Sequence, residues 1–245
     1  MRSADYLARI GLTDTPTLDL NGLGTLQRAH LTTVPFENLD VYARRGVATT
    51  LDWSVPKIVA RGRGGWCFEL NGAFSSLLRD LGFEVRLLPA AVLLPPASNE
   101  LSHLTLEVKL DRPYLVDVGF GDSFIKPLRI DLDEPQDGGS GQFVVTSEGT
   151  LFEVDDEGEL NPQYRFQRSE WELADFNAAS ARLQTAPGLH WTELPFATRL
   201  LDGGPDRVTL LKDRIKFRRD GQWHQEQVAT EDWDSELNRW FGMKP

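Results

Sequence analysis

The sequence predicts an α+β protein in which helices, strands and a closing mixture of the two follow one another along the chain. Three observations carry that prediction. Apolar residues at three- and four-residue spacing dominate up to Gly82, alternating and β-branched stretches take over at Phe83, and both patterns return after Trp171. The divisions that follow are 1–82 for the helices, 83–170 for the strands and 171–245 for the mixed end. A chain of 245 residues suits one large domain or two to three small ones. With 40% hydrophobic and 26% charged residues it can bury a sizeable core without covalent staples.

The first helix is expected in "SADYLARIGL", opened by a Ser or Asp cap, and the second in "TLDLNGLGTLQRAHLTTV", beginning near Leu23. The strongest helical signal is "FELNGAFSSLLRDLGF". There Leu70, Phe74, Leu77, Leu78 and Leu81 share one face, and Gly82 supplies a C-terminal cap. Strands then follow at "FEVRLLPAAVLL" and "HLTLEVKL", with "YLVDVGFG" after the polar turn "DRP". In "HLTLEVKL" the residues Leu104, Leu106, Val108 and Leu110 share one parity, and His103, Thr105, Glu107 and Lys109 the other. Further strands fall at "QFVVTSEGTLFEVD" and "QYRFQRSEW". Short strands joined by polar turns indicate an antiparallel sheet that curls toward a barrel. "DEPQDGGSGQ", residues 133–142, reads as a loose loop with little to pack. "ELADFNAASARLQ" reads as a helix. "FATRLLD", "RVTLLKDRIKFRRDGQWHQEQV" and a last helix "EDWDSELNRWFG" complete the mixed end, and no internal repeat interrupts this order.

Charge narrows the function. The net charge is −11, from 37 acidic and 26 basic residues, which repels phosphate backbones and argues against nucleic acid as a partner. One copy of "RGRGG" in so acidic a chain is weak evidence for RNA. The basic cluster Lys212, Arg214, Lys216, Arg218 and Arg219 reads either as the solvated face of a strand or as a site for an anionic cofactor. The single cysteine forms no internal disulfide, so a reducing, cytoplasmic setting is expected. The start of the chain lacks a signal-peptide core, and no run approaches the ~18 apolar residues of a membrane span. No metal is expected either, because one cysteine and histidines at 30, 103, 190 and 224 lack ligand spacing. His190 and His224 read as surface or lid residues.

The single cysteine, Cys67, stands in "RGGWCFELNG", immediately before a helix expected to start at Phe68. There it would face unsatisfied N–H groups and the positive end of the helix dipole, which favour a thiolate. Gly64 and Gly65 let the preceding backbone turn tightly, and Arg63 adds a nearby positive charge. Alone, a cysteine beside an apolar helix is most often packing. Thiolate chemistry also needs an imidazole to hold and return a proton, and only His103 opens a clean strand whose partner contains an acid. A three-residue loop, Leu110 to Arg112, places Asp117 opposite Thr105 and diagonal to His103 on one face, at roughly 7–8 Å between backbones. A two-residue loop turns Asp117 to the other face. Asp117 interrupts the apolar run "YLVDVGF", where an unpaired carboxylate is costly. It is either a partner that orients the imidazole or a turn aspartate satisfied by backbone N–H groups.

With those residues in view, "RGGWCFELN" resembles the Arg-Gly-Gly-x-Cys-x-Glu motif of the arylamine N-acetyltransferases. Upstream "HLTTVPFENL" is similar to that family's His-x-x-x-x-Pro-Phe-Glu-Asn-Leu segment. His103 before its strand, "VDVGFGDSFIKPL" and "DFNAASARLQTAPGLHW" follow in the family's order, so the resemblance spans roughly residues 28 to 200. It implies an N-terminal helical bundle, a central antiparallel β-barrel and a C-terminal α/β lid, with a catalytic core like that of the cysteine proteases. It also implies a ping-pong enzyme whose Cys67 takes an acetyl group from acetyl-CoA and passes it to an arylamine, arylhydrazine or hydrazide. In that cycle Cys67, His103 and Asp117 form the catalytic triad. Phe36 and Phe120 match positions that line the acceptor pocket, and Gly121 lies where the acyl donor approaches. Arg63, Glu37, Glu69 and Asn71 match as supporting residues. The chain departs from the family at Leu70, where a polar residue is usual, and in "LLPAAVLLPPASNELSH", which lacks a common Arg-Val pair. Three other readings fit the same residues: an amide synthase, a thiol hydrolase and a catalytically silent binding protein on this scaffold.

Overall fold

The computed structural model describes residues 3–95, 98–169, 171–186, 188–201 and 204–244. The apolar face read from the sequence is the centre of the N-terminal region: in the helix Cys67–Asp80, Leu70, Phe74, Leu77 and Leu78 are all buried. Its end is a Schellman closure, with Gly82 at φ +103°, its N–H donating to Arg79 and that of Phe83 to Leu78. Around it stand the helices Ser3–Arg9, Leu20–Thr33, Leu39–Tyr42 and Leu51–Val59. The second helix starts at Leu20, three residues before the position the apolar pattern marks. Asp19 is the reason: its Oδ1 accepts the Gly22 N–H at 2.8 Å and caps a turn whose Leu20 is exposed.

The central segment forms an eight-stranded antiparallel sheet. Its spatial order is Leu128–Arg129, Pro113–Val116, His103–Lys109, Glu84–Val92, Leu160–Phe166, Thr150–Val154, Gln142–Val145 and Gln136–Asp137. The sheet curls until its two edges meet. There Gln136 pairs its side-chain amide with the Arg129 backbone, accepting from N–H at 2.7 Å and donating to C=O at 2.9 Å. This is the barrel the short strands predict, nearly closed. Leu88, Leu115, Phe124, Phe143, Leu151, Tyr164 and Phe166 fill it. The helix Cys67–Asp80 packs against the outside of the strands Glu84–Val92 and His103–Lys109.

Residues 133–142 are not the loose loop the composition suggests. Gln136–Asp137 is a strand, and the Gly138 C=O accepts the N–H groups of Ile125 and Lys126 at 2.7 and 3.0 Å. The glycines pack because they lack side chains: a Cβ on Gly138 would lie 2.9 Å from that of Phe124 and closer still to the Phe143 ring.

A second antiparallel sheet, ordered Phe36–Glu37, Ala197–Leu200, Arg207–Leu210, Arg214–Arg219 and Gln222–Gln227, builds the lid. The helix Trp233–Phe241 covers one face, where Ala197, Leu210, Ile215, Phe217, Leu237 and Phe241 form a separate core. The first strand comes from the helical part of the chain. Phe36 pairs with Thr198 on one side and bridges Gly65 on the other. Gly138→Ala should therefore lower stability by about 1–3 kcal/mol through overpacking. Denaturant unfolding checks this, and an unchanged midpoint would refute the packing role assigned to residue 138.

Candidate active site

Cys67 is the first residue of its helix, which starts one position earlier than the Phe68 the sequence suggests, with Trp66 as the cap. Glu69 reaches back to accept the Trp66 N–H at 3.2 Å, so a side chain from the first turn holds the residue before the thiol. The glycine pair has steric reasons. A side chain on Gly64 would collide with the Pro35 carbonyl, and one on Gly65 would lie 2.6 Å from a Glu69 carboxylate oxygen. From the barrel, Gly119 closes over the same turn, where a Cβ would meet the Cys67 Cα at 2.8 Å. Cys67 is left 7% exposed.

The hairpin resolves the two registers left open by the sequence. Lys109 pairs with Pro113 and Leu106 with Val116, so the loop is Leu110–Arg112, and the same register carried one step further sets Asp117 opposite Thr105. His103 Nε2 meets Asp117 Oδ2 at 2.6 Å with both side chains buried. Asp117 Oδ1 also accepts from Asn71 Nδ2 at 2.9 Å and from the Gly119 N–H at 2.8 Å. Asn71 in turn donates to the Leu104 carbonyl at 2.6 Å and accepts the Val118 N–H at 3.0 Å. A single amide thus ties the helix to both strands. Burial alone would keep the imidazole neutral. The Asp117 charge and hydrogen bond, with a smaller contribution from Cys67, outweigh it and raise His103 to about 10. Burial works against the Asp117 carboxylate too, yet His103, Asn71 and Gly119 hold it below the usual carboxylate range. With Nε2 on Asp117, Nδ1 is the ring nitrogen left for the sulfur. The arrangement is an imidazolium held in an apolar wall beside a thiol.

Aromatic rings surround this pair. Phe120 lies edge-on to His103 at 5.2 Å between ring centres, and Tyr164 flanks it at 5.1 Å, its hydroxyl shared with Thr105 at 3.2 Å. Opposite, Phe36 approaches Gly121, whose φ of +104° suits glycine. Phe196 of the lid lies tilted against Phe36 at 5.4 Å between ring centres, and Trp191 lies 6.3 Å from Phe196. Tyr164 and Phe196 escape sequence reasoning because only long-range pairing brings them here. The supporting residues gather beneath the cysteine turn. Arg63 donates twice to Glu37 Oε1, at 2.8 and 3.2 Å, and Glu69 Oε1 accepts from the Trp53 indole at 2.7 Å. Their centre is Lys57, whose Nζ lies 2.8 Å from Asp40 and 2.9 Å from Glu69. Its signal in the sequence was a helical face shared with Ser54 and Ile58, at an apolar spacing.

The other candidates stand outside the triad. Of the basic cluster, Arg214 pairs with Asp213, Arg219 lies over Phe217, and Arg218 joins the buried Arg207 on Asp122, next to Gly121. His30 is buried against Tyr6 and Phe74, and burial, with Arg9 nearby, pushes it down to about 3. His224 is exposed on the edge strand Gln222–Gln227, and the side chain of His190 lies outside the described residues. Among the described residues no group of three His, Cys, Asp or Glu side chains is placed to hold a metal, and no helix is long and apolar enough to cross a membrane.

The profile of a family described as N-acetyltransferase matches residues 19–244. The arylamine N-acetyltransferase of Escherichia coli (strain K12) is 34% identical over 219 residues, covering 83% of this chain and 75% of that protein. A solved structure of the Mycobacterium smegmatis N-arylamine acetyltransferase superposes with a TM-score of 0.90 at 30% identity, covering 100% of this chain and 93% of the other. The Mycobacterium marinum arylamine N-acetyltransferase, solved in complex with CoA, superposes at 0.88 and 27% identity, covering 98% of this chain and 92% of the other.

The raised His103 has a sign that can be measured. Its ordinary value is about 6.5, so the stabilisation it gains from Asp117 is complete below that pH and is lost as pH rises through about 10. Asp117→Asn should cost about 3 kcal/mol near pH 6, and its gap from the unsubstituted protein should narrow as pH approaches 10. Urea denaturation at the two pH values gives the answer; a gap that stays constant contradicts the ion pair.

Proposed function

The chain belongs to the arylamine N-acetyltransferase family, and on that premise we propose that Cys67 carries an acetyl group from acetyl-CoA to an aromatic amine, hydrazine or hydrazide, with His103 and Asp117 completing its triad. The observation that carries this reading is a thiol in the first turn of a helix beside a buried His103–Asp117 pair. In the first half-reaction the Cys67 thiolate attacks the acetyl carbonyl. N–H groups of the first helical turn, which lack intrahelical acceptors, receive the oxyanion. The C–S bond to CoA breaks, the leaving thiolate takes the proton held by His103, and a thioester remains on Cys67. In the second, the amine nitrogen attacks the thioester, His103 takes the nitrogen's proton, and the Cys67 thiolate leaves. Asp117 keeps Nε2 engaged throughout, so the same ring nitrogen faces the sulfur in both steps.

CoA is the donor by analogy with the Mycobacterium marinum relative, whose structure holds it. Phe36 and Phe120 are proposed as walls for a flat acceptor, with Phe196 as a third, because their rings flank the cysteine turn from the lid and barrel sides. Gly121 leaves the donor's path open where a side chain would narrow it. Arg63, Glu37, Glu69 and Asn71 act through the backbone they hold. The acidic charge of −11 and the lone cysteine support a cytoplasmic enzyme that acts on small molecules and takes no nucleic acid.

Acetyl-CoA should place one acetyl group on the protein, seen by intact mass, and Cys67→Ala should take none. Adding an aromatic amine or hydrazide should discharge the adduct faster than water does. An unlabelled protein, or a labelled Cys67→Ala, refutes the nucleophile. Discharge by water alone would make the protein a hydrolase.

A further inference from the structure

Lys57 is enclosed by three carboxylates beneath the cysteine turn. It lies in the helix Leu51–Val59 and is fully buried, where an ammonium group is rare unless paired. Its Nζ meets Asp40 Oδ2 at 2.8 Å, Glu69 Oε1 and Oε2 at 2.9 and 3.1 Å, and Glu37 Oε1 at 3.6 Å. Each acid comes from a different part of the site. Glu69, on the cysteine helix, holds the Trp66 N–H; Glu37, on the shared strand, accepts the Leu39 N–H at 2.7 Å and the Arg63 guanidinium. Asp40, in the short helix Leu39–Tyr42, also meets Arg45 at 3.3 Å and Arg63 at 3.5 Å. We propose that Lys57 is a positioning residue of the acetyl-transfer reaction, which holds Glu69 and Glu37 in place and so fixes the Trp66–Cys67 turn and the Phe36 strand together.

The charge balance explains why a lysine is needed. The groups facing one another are Glu37, Asp40 and Glu69 against Lys57, Arg63 and the half-exposed Arg45, so the cluster is neutral as long as Lys57 is present. Glu69 is the weak member: burial holds it above the ordinary carboxylate range against the pull of Lys57. Without the lysine one buried negative charge is unmatched, and it lies on the residue that caps the nucleophile's helix. Such a charge must either take a proton or move toward water. Protonation weakens the acceptor of the Trp66 N–H, and movement toward water breaks that hydrogen bond and leaves unmatched negative charge in the first turn of the cysteine helix, which disfavours the thiolate. Neutralising Glu69 at the same time restores the balance and keeps an oxygen that can accept that N–H.

This inference rests on the reading of Cys67 as the nucleophile, so the test uses a reaction that needs no acetyl donor. Iodoacetamide alkylation of Cys67, followed by intact mass across pH, reads the thiolate directly. Lys57→Gln should slow alkylation about tenfold near pH 7 and move its pH profile upward. Lys57→Gln/Glu69→Gln should recover to within about threefold of the unsubstituted protein and return the profile. An unchanged rate in Lys57→Gln overturns the proposal, as does a slowed rate whose pH profile has not moved. A double variant no faster than the single one overturns it too. If Lys57→Gln does not fold, the neutral double variant decides alone: a near-normal profile supports the proposal and a displaced one refutes it. Failure of acetyl labelling with normal alkylation would count against the acetyltransferase reading and leave Lys57 untouched.

Discussion

A carboxylate buried in the wall of an apolar barrel persists only if its charge is met on every side, and Asp117 imposes that condition on the site. His103 meets one oxygen, and Asn71 with the Gly119 N–H meets the other. Those partners come from a strand, a helix and a loop, so the carboxylate is satisfied only when all three arrive together. The cost of burying the pair is thereby converted into geometric definition, because any looser arrangement leaves charge without a partner. Gly119 shows how tight the convergence is. The N–H that serves Asp117 belongs to a residue with no room for a side chain above Cys67.

What the sequence revealed followed the range of the interactions. The helix after Cys67 was legible because its apolar spacing is local and its glycine cap follows directly. His103 and Asp117 were legible as candidates, since an imidazole at the head of a strand and an acid in an apolar run are both locally anomalous. Their meeting was not decided, because the pairing register depends on whether the turn holds two or three residues. The family resemblance supplied the motif residues in order. Tyr164 and Phe196 stayed hidden, for each owes its place to residues far along the chain; Lys57 has its acidic partners nearby in the chain, and a charged residue at an apolar helical spacing is its one local sign. The segment 133–142 was misread for a different reason. A glycine-rich composition registers as an absence of packing groups, whereas here the missing side chain of Gly138 admits the Phe143 ring and the Cβ of Phe124.

The acidic character of the whole chain also proves a poor guide to its inner surfaces. Asp122 draws Arg207 and Arg218 from the lid, placing two guanidinium groups beside Gly121 in a protein of net charge −11. Short-range pairing decides the local field there, since screening confines the influence of distant surface charge to about 10 Å. The three carboxylates around Lys57 form a balanced counterpart beneath the cysteine turn, so the two flanks of the site are electrostatically distinct.

The strand Phe36–Glu37 lies between Gly65 of the cysteine loop and Ala197–Thr198 of the lid. During synthesis that arrangement sets an order of events. Cys67, His103 and Asp117 all leave the ribosome well before Thr198 does, and domains generally fold from the N-terminal end as they emerge. A nascent chain therefore carries its thiol, imidazole and carboxylate for a time with one flank of Phe36 unpaired. The reactive centre is enclosed only when the late-made part of the chain returns to a strand made near the beginning.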